Sequence, residues 1–157
     1  MIDVNTRNAR VAGAVAEAGI EPRIKILDTA AKTAVAAAEQ LGCEVGAIAN
    51  SLVFECDGKP LLVMASGAHR VDTALLARVL GATTIRKASP QLVLSATDQV
   101  IGGVAPTGHP CRLWTVVDET LARYPVVWTA AGTPDSVMPL TYDQLLTITE
   151  GVALQVR

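Results

Sequence analysis

The stretch Ala47-Ile48-Ala49-Asn50-Ser51-Leu52-Val53-Phe54-Glu55, followed by Asp57-Gly58 and then by Pro60-Leu61-Leu62-Val63-Met64-Ala65, decides how this 157-residue chain folds. The two apolar runs read as strands, and the Asp-Gly pair between them supplies the positive φ of a tight hairpin turn. A hairpin imposes antiparallel pairing. Helical patterns lie on both sides of it. Asn5 to Ala18 carries Val11, Ala14 and Val15, with Val4 before them, on a helical period, and Gly19 stops it. Asp28 is placed to cap Thr29 to Leu41, which Gly42 closes. Downstream, Asp72 caps a helix through Leu80, Ser89-Pro90 opens a helix over Gln91 to Ser95, and Asp118 caps a short helix to Arg123. Thr141-Tyr142-Asp143-Gln144 has the form of a capping box before a final helix. Short strands are predicted at Thr83 to Arg86, Leu113 to Val117 and Val126 to Ala130. Interleaved helices and strands with an obligatory hairpin predict one α+β domain over residues 1–157. Its sheet is expected to be mixed and mostly antiparallel, twisted and flanked by helices, not the parallel sheet of a Rossmann fold.

Composition narrows the chemistry. Half of the residues are hydrophobic but only 3% are aromatic, so Ala, Val, Leu and Ile must build the core. No apolar run is long enough to span a bilayer, and Met1-Ile2-Asp3-Val4-Asn5 does not begin a secretory signal, which together predict a cytoplasmic protein. Cys43, Cys56 and Cys111 are widely spaced and only two histidines accompany them. Reduced, mostly buried thiols are therefore expected, with no metal and no disulfide. The net charge is −2 and the basic residues are scattered, so nothing marks a strong nonspecific nucleic-acid binder.

A second informative stretch is Ile101-Gly102-Gly103-Val104-Ala105-Pro106-Thr107-Gly108-His109. Two glycines release the backbone from Cβ restrictions, and Pro106 fixes its own φ and biases Ala105 towards extended conformations. Such a loop either simply joins two elements or holds N–H and C=O groups towards a ligand. Ser66 and His69, three residues apart, could form a nucleophile and base, or could belong to a helix-entry turn in which Ser66 or Asp72 bonds backbone N–H groups. There is no GxSxG elbow, Walker A loop, zinc spacing or dinucleotide fingerprint, so no cofactor is expected. Ester hydrolysis on preorganised amides, with Asn50 and Ser51 on the neighbouring strand, is compatible with what remains.

The segments Ile48 to Phe54, Leu61 to Asp72 and Ile101 to His109, in this order, resemble the YbaK-like aminoacyl-tRNA deacylases, relatives of the editing domain inserted in bacterial prolyl-tRNA synthetases. The resemblance extends through Ala130-Ala131-Gly132-Thr133-Pro134 to the C-terminal helix. It implies a partly barrel-like mixed sheet and hydrolysis of the ester that joins a wrong amino acid to tRNA, Ala- or Cys-tRNA(Pro) being the substrates it suggests. It implies a GxxxP loop, here Gly102 to Pro106, that shapes the pocket and holds the ester, while the tRNA's own terminal hydroxyl helps position water. On this reading Asn50, Gly102 and Gly103 are the catalytic positions, and Ser66, Gly67, Val104, Ala105, Pro106 and His109 border the substrate. The implied partner is the acceptor end of an aminoacyl-tRNA, with a synthetase as a further candidate and no membrane.

One position departs from the family. Many members carry lysine where this chain has Asn50. Asparagine donates a hydrogen bond but brings no charge, and a neutral bond is worth about 0.5–1.5 kcal/mol net against about 1.5–3 for a charged one. Lys59 and Arg70 are the sequence's candidates to supply the missing charge. The departure also raises a rival reading, a non-catalytic module that binds acceptor ends or aminoacyl compounds.

Overall fold

The computed structural model describes residues 4–157. Met1, Ile2 and Asp3, which bear on the expected absence of a leader, lie outside them, as do the side chains of Val4 and Asn5. Five α-helices surround an eight-stranded mixed sheet. In chain order these are α1 (Val4–Glu17), β1 (Lys25–Ile26), α2 (Ala34–Leu41), β2 (Ile48–Cys56), β3 (Lys59–Ser66), α3 (Thr73–Leu80), β4 (Ile85–Lys87), α4 (Pro90–Thr97), β5 (Trp114–Asp118), β6 (Val127–Ala130), β7 (Ser136–Leu140), α5 (Tyr142–Thr149) and β8 (Val152–Leu154), with 3-10 turns at Val45–Ala47 and Glu119–Arg123.

The β2–β3 hairpin is the centre. Asp57 and Gly58 both take positive φ, 47° and 84°, as a two-residue turn of this hand requires. The strands pair antiparallel from Ala49 with Ser66 to Cys56 with Lys59. Leu61 to Ala65 are wholly buried because β3 is covered on both faces. Leu62 and Met64 enter the main core with Val11, Val15, Leu121 and Leu145, whereas Leu61, Val63 and Ala65 pack with Leu76, Val116 and Val156. Burying each such leucine contributes about 1.5–3 kcal/mol, so truncating one of them is costly.

The full sheet runs β1-β7-β6-β2-β3-β5-β8, and β4 adds to β2. It is not closed: β1 and β8 end the path. β2 is longer than either neighbour on its outer edge. β6 pairs parallel with Ile48 and Ala49, and β4 pairs antiparallel with Phe54 to Cys56. Between them Asn50, Ser51 and Leu52 have no strand beside them, and this gap positions the site.

Local chemistry sets most helix ends where expected. Asp72 Oδ1 accepts the Leu75 N–H at 3.0 Å, Ser89 Oγ accepts that of Leu92 at 3.1 Å, and Thr141 with Gln144 closes a reciprocal capping box. Three expectations need correction, and three strands were not expected. α2 starts at Ala34, capped by Thr33, whose Oγ1 accepts the Ala36 N–H at 3.1 Å; Asp28 does not cap it. The segment after Asp118 is a 3-10 turn, not an α-helix. β1, β7 and β8 were not foreseen; β7 contains Pro139, which ordinarily argues against a strand. Finally, of the three free cysteines only Cys56 is buried, and Cys111 is exposed.

Candidate active site

A cleft of about 300 Å³ opens at the gap in β2's outer edge. Its floor is Ala49 to Leu52 of β2 and Trp128 to Ala130 of β6. Lys32, Thr33, Ala34 and Ala37, at the start of α2, form one wall, and Ile101, Gly102 and Val104 form another. The backbone contributes too. Ile48 O accepts from Gly67 N on the β3 side, whereas Val53 O accepts from Ala88 N on the outer side. Alternation along the strand therefore turns the N–H and C=O of Ser51 to the open edge, beside the cleft. The Ser51 hydroxyl points the other way chemically: its Oγ donates to Met64 Sδ at 3.2 Å.

The glycine-proline loop is held from beneath by the side chain of Gln99, which is 2% exposed. Its Oε1 accepts the Ala105 N–H at 2.8 Å and its Nε2 donates to Thr107 O at 3.4 Å. Gly102 has φ +90° and open space around its Cβ position. Gly103 is different. A Cβ there meets the Thr133 and Pro134 backbone at 2.7–2.9 Å, so this glycine lets the loop dock on the β6–β7 turn.

The structure brings only some of the sequence's candidates together. Asn50, Gly102 and Val104 line the cleft. Gly103 lies behind its wall, and Ala105 is fully buried with its N–H committed to Gln99. Pro106 and His109 instead line a separate cavity of about 150 Å³ with Arg112, Leu113 and Thr149. His109 Nε2 lies 2.8 Å from Ala105 O; a carbonyl only accepts, so that nitrogen carries the proton. Burial lowers the His109 pKa, favouring this neutral form.

Ser66 and Gly67 do not line the cleft either. Ser66 is fully buried; its Oγ donates to Gly46 O at 2.8 Å and accepts the Ala68 N–H at 3.3 Å. His69 Nδ1 is 2.9 Å from Asp118 Oδ2, which also accepts the Ser66 N–H at 3.0 Å. Serine and histidine thus share a structural carboxylate and are not bonded to each other as nucleophile and base. Gly67 supports the cleft indirectly, since a Cβ there falls 2.8 Å from that of Ala34 on the cleft wall.

Lys59 and Arg70 are exposed and absent from the cleft; Lys59 pairs with Cys56 at the far end of the hairpin. The cation that does line it is Lys32, the only one among the described lining residues, and the sequence reading passed over it. Thr129 was missed as well. It follows Val127 on the inward face of β6, where a lone hydroxyl among apolar neighbours was the available sign.

Residues 28–148 match the family described as "Aminoacyl-tRNA editing domain". The chain belongs to that family. The editing domain is 33% identical over 119 residues to "Uncharacterized protein YwhH" of Bacillus subtilis (strain 168), covering 75% of each chain. It superimposes at TM-score 0.90 and 36% identity on "a putative trans-editing enzyme for prolyl tRNA synthetase", over 96% of both chains. It shares its fold, at TM-score 0.85 and 24% identity, with "hypothetical protein APE2540", over 94% of this chain and 98% of that one. α1 and β8 flank the matched residues of this editing domain yet pack into the same core and sheet. Among its described residues no helix is long and apolar enough to cross a membrane.

Proposed function

We propose that this protein is a hydrolase that deacylates mischarged aminoacyl-tRNA in trans, acting on a small amino acid attached to tRNA(Pro), with alanyl and cysteinyl esters as first substrates. The observation that carries this reading is the cleft at the open edge of β2. There Asn50, Gly102, Lys32 and the backbone of Ser51 converge, and no nucleophile–base pair lines it among the described residues. The family membership and the trans-editing relative support it.

In this reading the terminal ribose and its ester enter between α2 and the glycine loop. The Ser51 N–H and the Asn50 carboxamide donate to the ester carbonyl oxygen as it takes up negative charge, a contribution of about 10²–10³ in rate per well-placed donor. Water adds to the carbonyl carbon, the bond from that carbon to the ribose oxygen breaks, and the water's proton passes to the departing oxygen. The neighbouring ribose hydroxyl orients the water, a role the resemblance implies and one that suits a site without a side-chain base. Lys32, at the cleft wall, offsets charge on the terminal phosphate. A second site that removes small wrong products is useful because one methylene gives a synthetase only about 1–3 kcal/mol of discrimination.

The test is hydrolysis of Ala-tRNA(Pro) and Cys-tRNA(Pro) by the natural protein and by Asn50→Lys. Selective clearance by the natural protein supports the assignment, and tight binding of charged tRNA without turnover favours the rival binding module, which Asn50 recommends. Activity confined to Asn50→Lys counts against a deacylase in the natural chain.

A further inference from the structure

The loop that walls the cleft borders a second cavity at its other end. That cavity has a volume of about 150 Å³ and shares no lining residue with the cleft. Ala14, Leu113 and Ile148 give it an apolar side, and His109 and Arg112 are its nitrogen-bearing groups. His109 Nε2 donates to Ala105 O, which leaves Nδ1 as a bare acceptor, and no hydrogen bond among the described residues reaches it. Arg112 pairs through Nη1 with Glu150, both side chains being largely exposed, so further guanidinium N–H groups are open to an anion. The hydroxyls of Thr115 and Thr149 are engaged, donating to Leu113 O and Leu145 O. A concave, largely apolar wall with a few convergent polar groups is the ordinary form of a small-molecule site. The ligand that suits this lining carries a donor for the imidazole, an anion for the guanidinium and a short apolar part. A cavity of this volume takes a molecule of about six heavy atoms, the size of benzene.

We infer that this cavity is a second binding site, separate from the cleft, for a free α-amino acid of alanine size. The ammonium donates to His109 Nδ1, the carboxylate meets the Arg112 guanidinium, and the methyl lies against Leu113 and Ile148. An α-amino acid carries both charged groups on one carbon, so a molecule this small can meet both residues. Occupancy reaches the cleft wall through one bond. A donor on Nδ1 polarises the ring and strengthens the Nε2–H donation to Ala105 O, in the loop that Gln99 also holds. The assignment goes beyond the deacylase reading and does not depend on it, since neither tRNA nor turnover enters it.

The experiment titrates L-alanine into protein labelled with nitrogen-15 histidine at neutral pH and follows the imidazole nitrogens by NMR. The chain has two histidines, so His69 serves as the internal control. L-Alanine should move His109 Nδ1 saturably and leave His69 in place. Acetate, a carboxylate without an ammonium, and methylamine, an ammonium without a carboxylate, should each act only at much higher concentration. Arg112→Gln should raise the midpoint concentration about 10-fold or more, and Ala14→Leu, which fills the cavity, should abolish the shift. If Ala14→Leu does not fold, the surface variant Arg112→Gln decides. No saturable shift at His109, a shift unchanged in the folded variants, or acetate or methylamine acting as well as L-alanine overturns the assignment. Failure of the deacylase reading shows instead as absent turnover of mischarged tRNA and leaves this titration unchanged.

Discussion

Gln99 Oε1 accepts the Ala105 N–H at 2.8 Å inside the protein, so a single carboxamide fixes the loop that walls the cleft. Replacing Gln99 with leucine keeps the bulk and strands the Ala105 N–H in an apolar setting, at a cost of about 1–3 kcal/mol. The variant should unfold at lower urea concentration. Its deacylation should fall further than its stability under assay conditions explains, because the loop loses its anchor. A Gln99→Leu protein with an unchanged urea midpoint argues against this anchoring.

The paired glycines of that loop should respond differently to substitution. Gly103→Ala drives a Cβ into Thr133 and Pro134 backbone at 2.7–2.9 Å, and backbone cannot step aside as a side-chain end can. Loop and β6–β7 turn must separate, lowering both activity and the unfolding midpoint. Gly102→Ala meets no atoms, but its φ of +90° is a conformation that residues with a Cβ rarely adopt, costing about 1–2 kcal/mol. A bulkier residue at Gly102 should remove activity while the folded state persists. Circular dichroism melts alongside deacylation rates separate the two cases; equal stability of Gly102→Ala and Gly103→Ala contradicts the docking role of Gly103.

The hairpin and the helix caps were legible because their causes are local: Asp57-Gly58 must turn, and Asp72, Ser89 and Thr141 bond N–H groups three residues ahead. β7 was not legible because its support is remote. Its partner β6 gives it a ladder despite Pro139, and β1 pairs on the other side. The start of α2 was misplaced because Asp28 and Thr33 are both good caps and only packing selects Thr33. Within the site, Asn50 and Gly102 stood out by residue type. Lys32 did not, since a lysine inside the predicted Thr29 to Leu41 helix means nothing until α2 folds against β2.

Ser66→Ala provides a test against serine chemistry. Removing Oγ leaves Gly46 O without its 2.8 Å donor, so stability should fall by about 1–3 kcal/mol. The deacylation rate should stay within a few-fold of the natural protein where both are folded. Loss of all turnover in a folded Ser66→Ala protein, with covalent labelling of Ser66 in the natural one, revives the nucleophile reading.

His109 makes stability depend on pH in a defined direction. Burial lowers its pKa from the ordinary 6.5, and the bond to Ala105 O opposes this to a lesser degree. The folded state keeps the imidazole neutral, while the unfolded chain takes up a proton near pH 6.5. Stability is therefore unaffected by this group above pH 6.5 and falls as pH drops from there towards the lowered folded value. Urea midpoints at neutral and mildly acidic pH should converge in His109→Gln, which cannot titrate. An acid slope identical in both proteins shows that other groups govern it.

Lys32 is exposed and lines the cleft without an ion-pair partner among the described residues, whereas Asn50, where the resemblance implies a lysine, is uncharged. A cation at the wall can meet the phosphate next to the esterified ribose, a contact that carries no amino-acid selectivity. Lys32→Ala should therefore raise KM for every aminoacyl-tRNA by a similar factor, leave the ratio between esters intact, and reduce the slope of log affinity against log salt by about one. Lys32→Glu should be worse at low salt, and both defects should shrink as salt screens the charge. Asn50→Lys added to Lys32→Ala should recover much of the loss if the two positions address neighbouring oxygens of the same terminal nucleotide. Should Lys32→Ala alter selectivity instead of the salt slope, the lysine contacts the amino acid and the phosphate assignment is wrong.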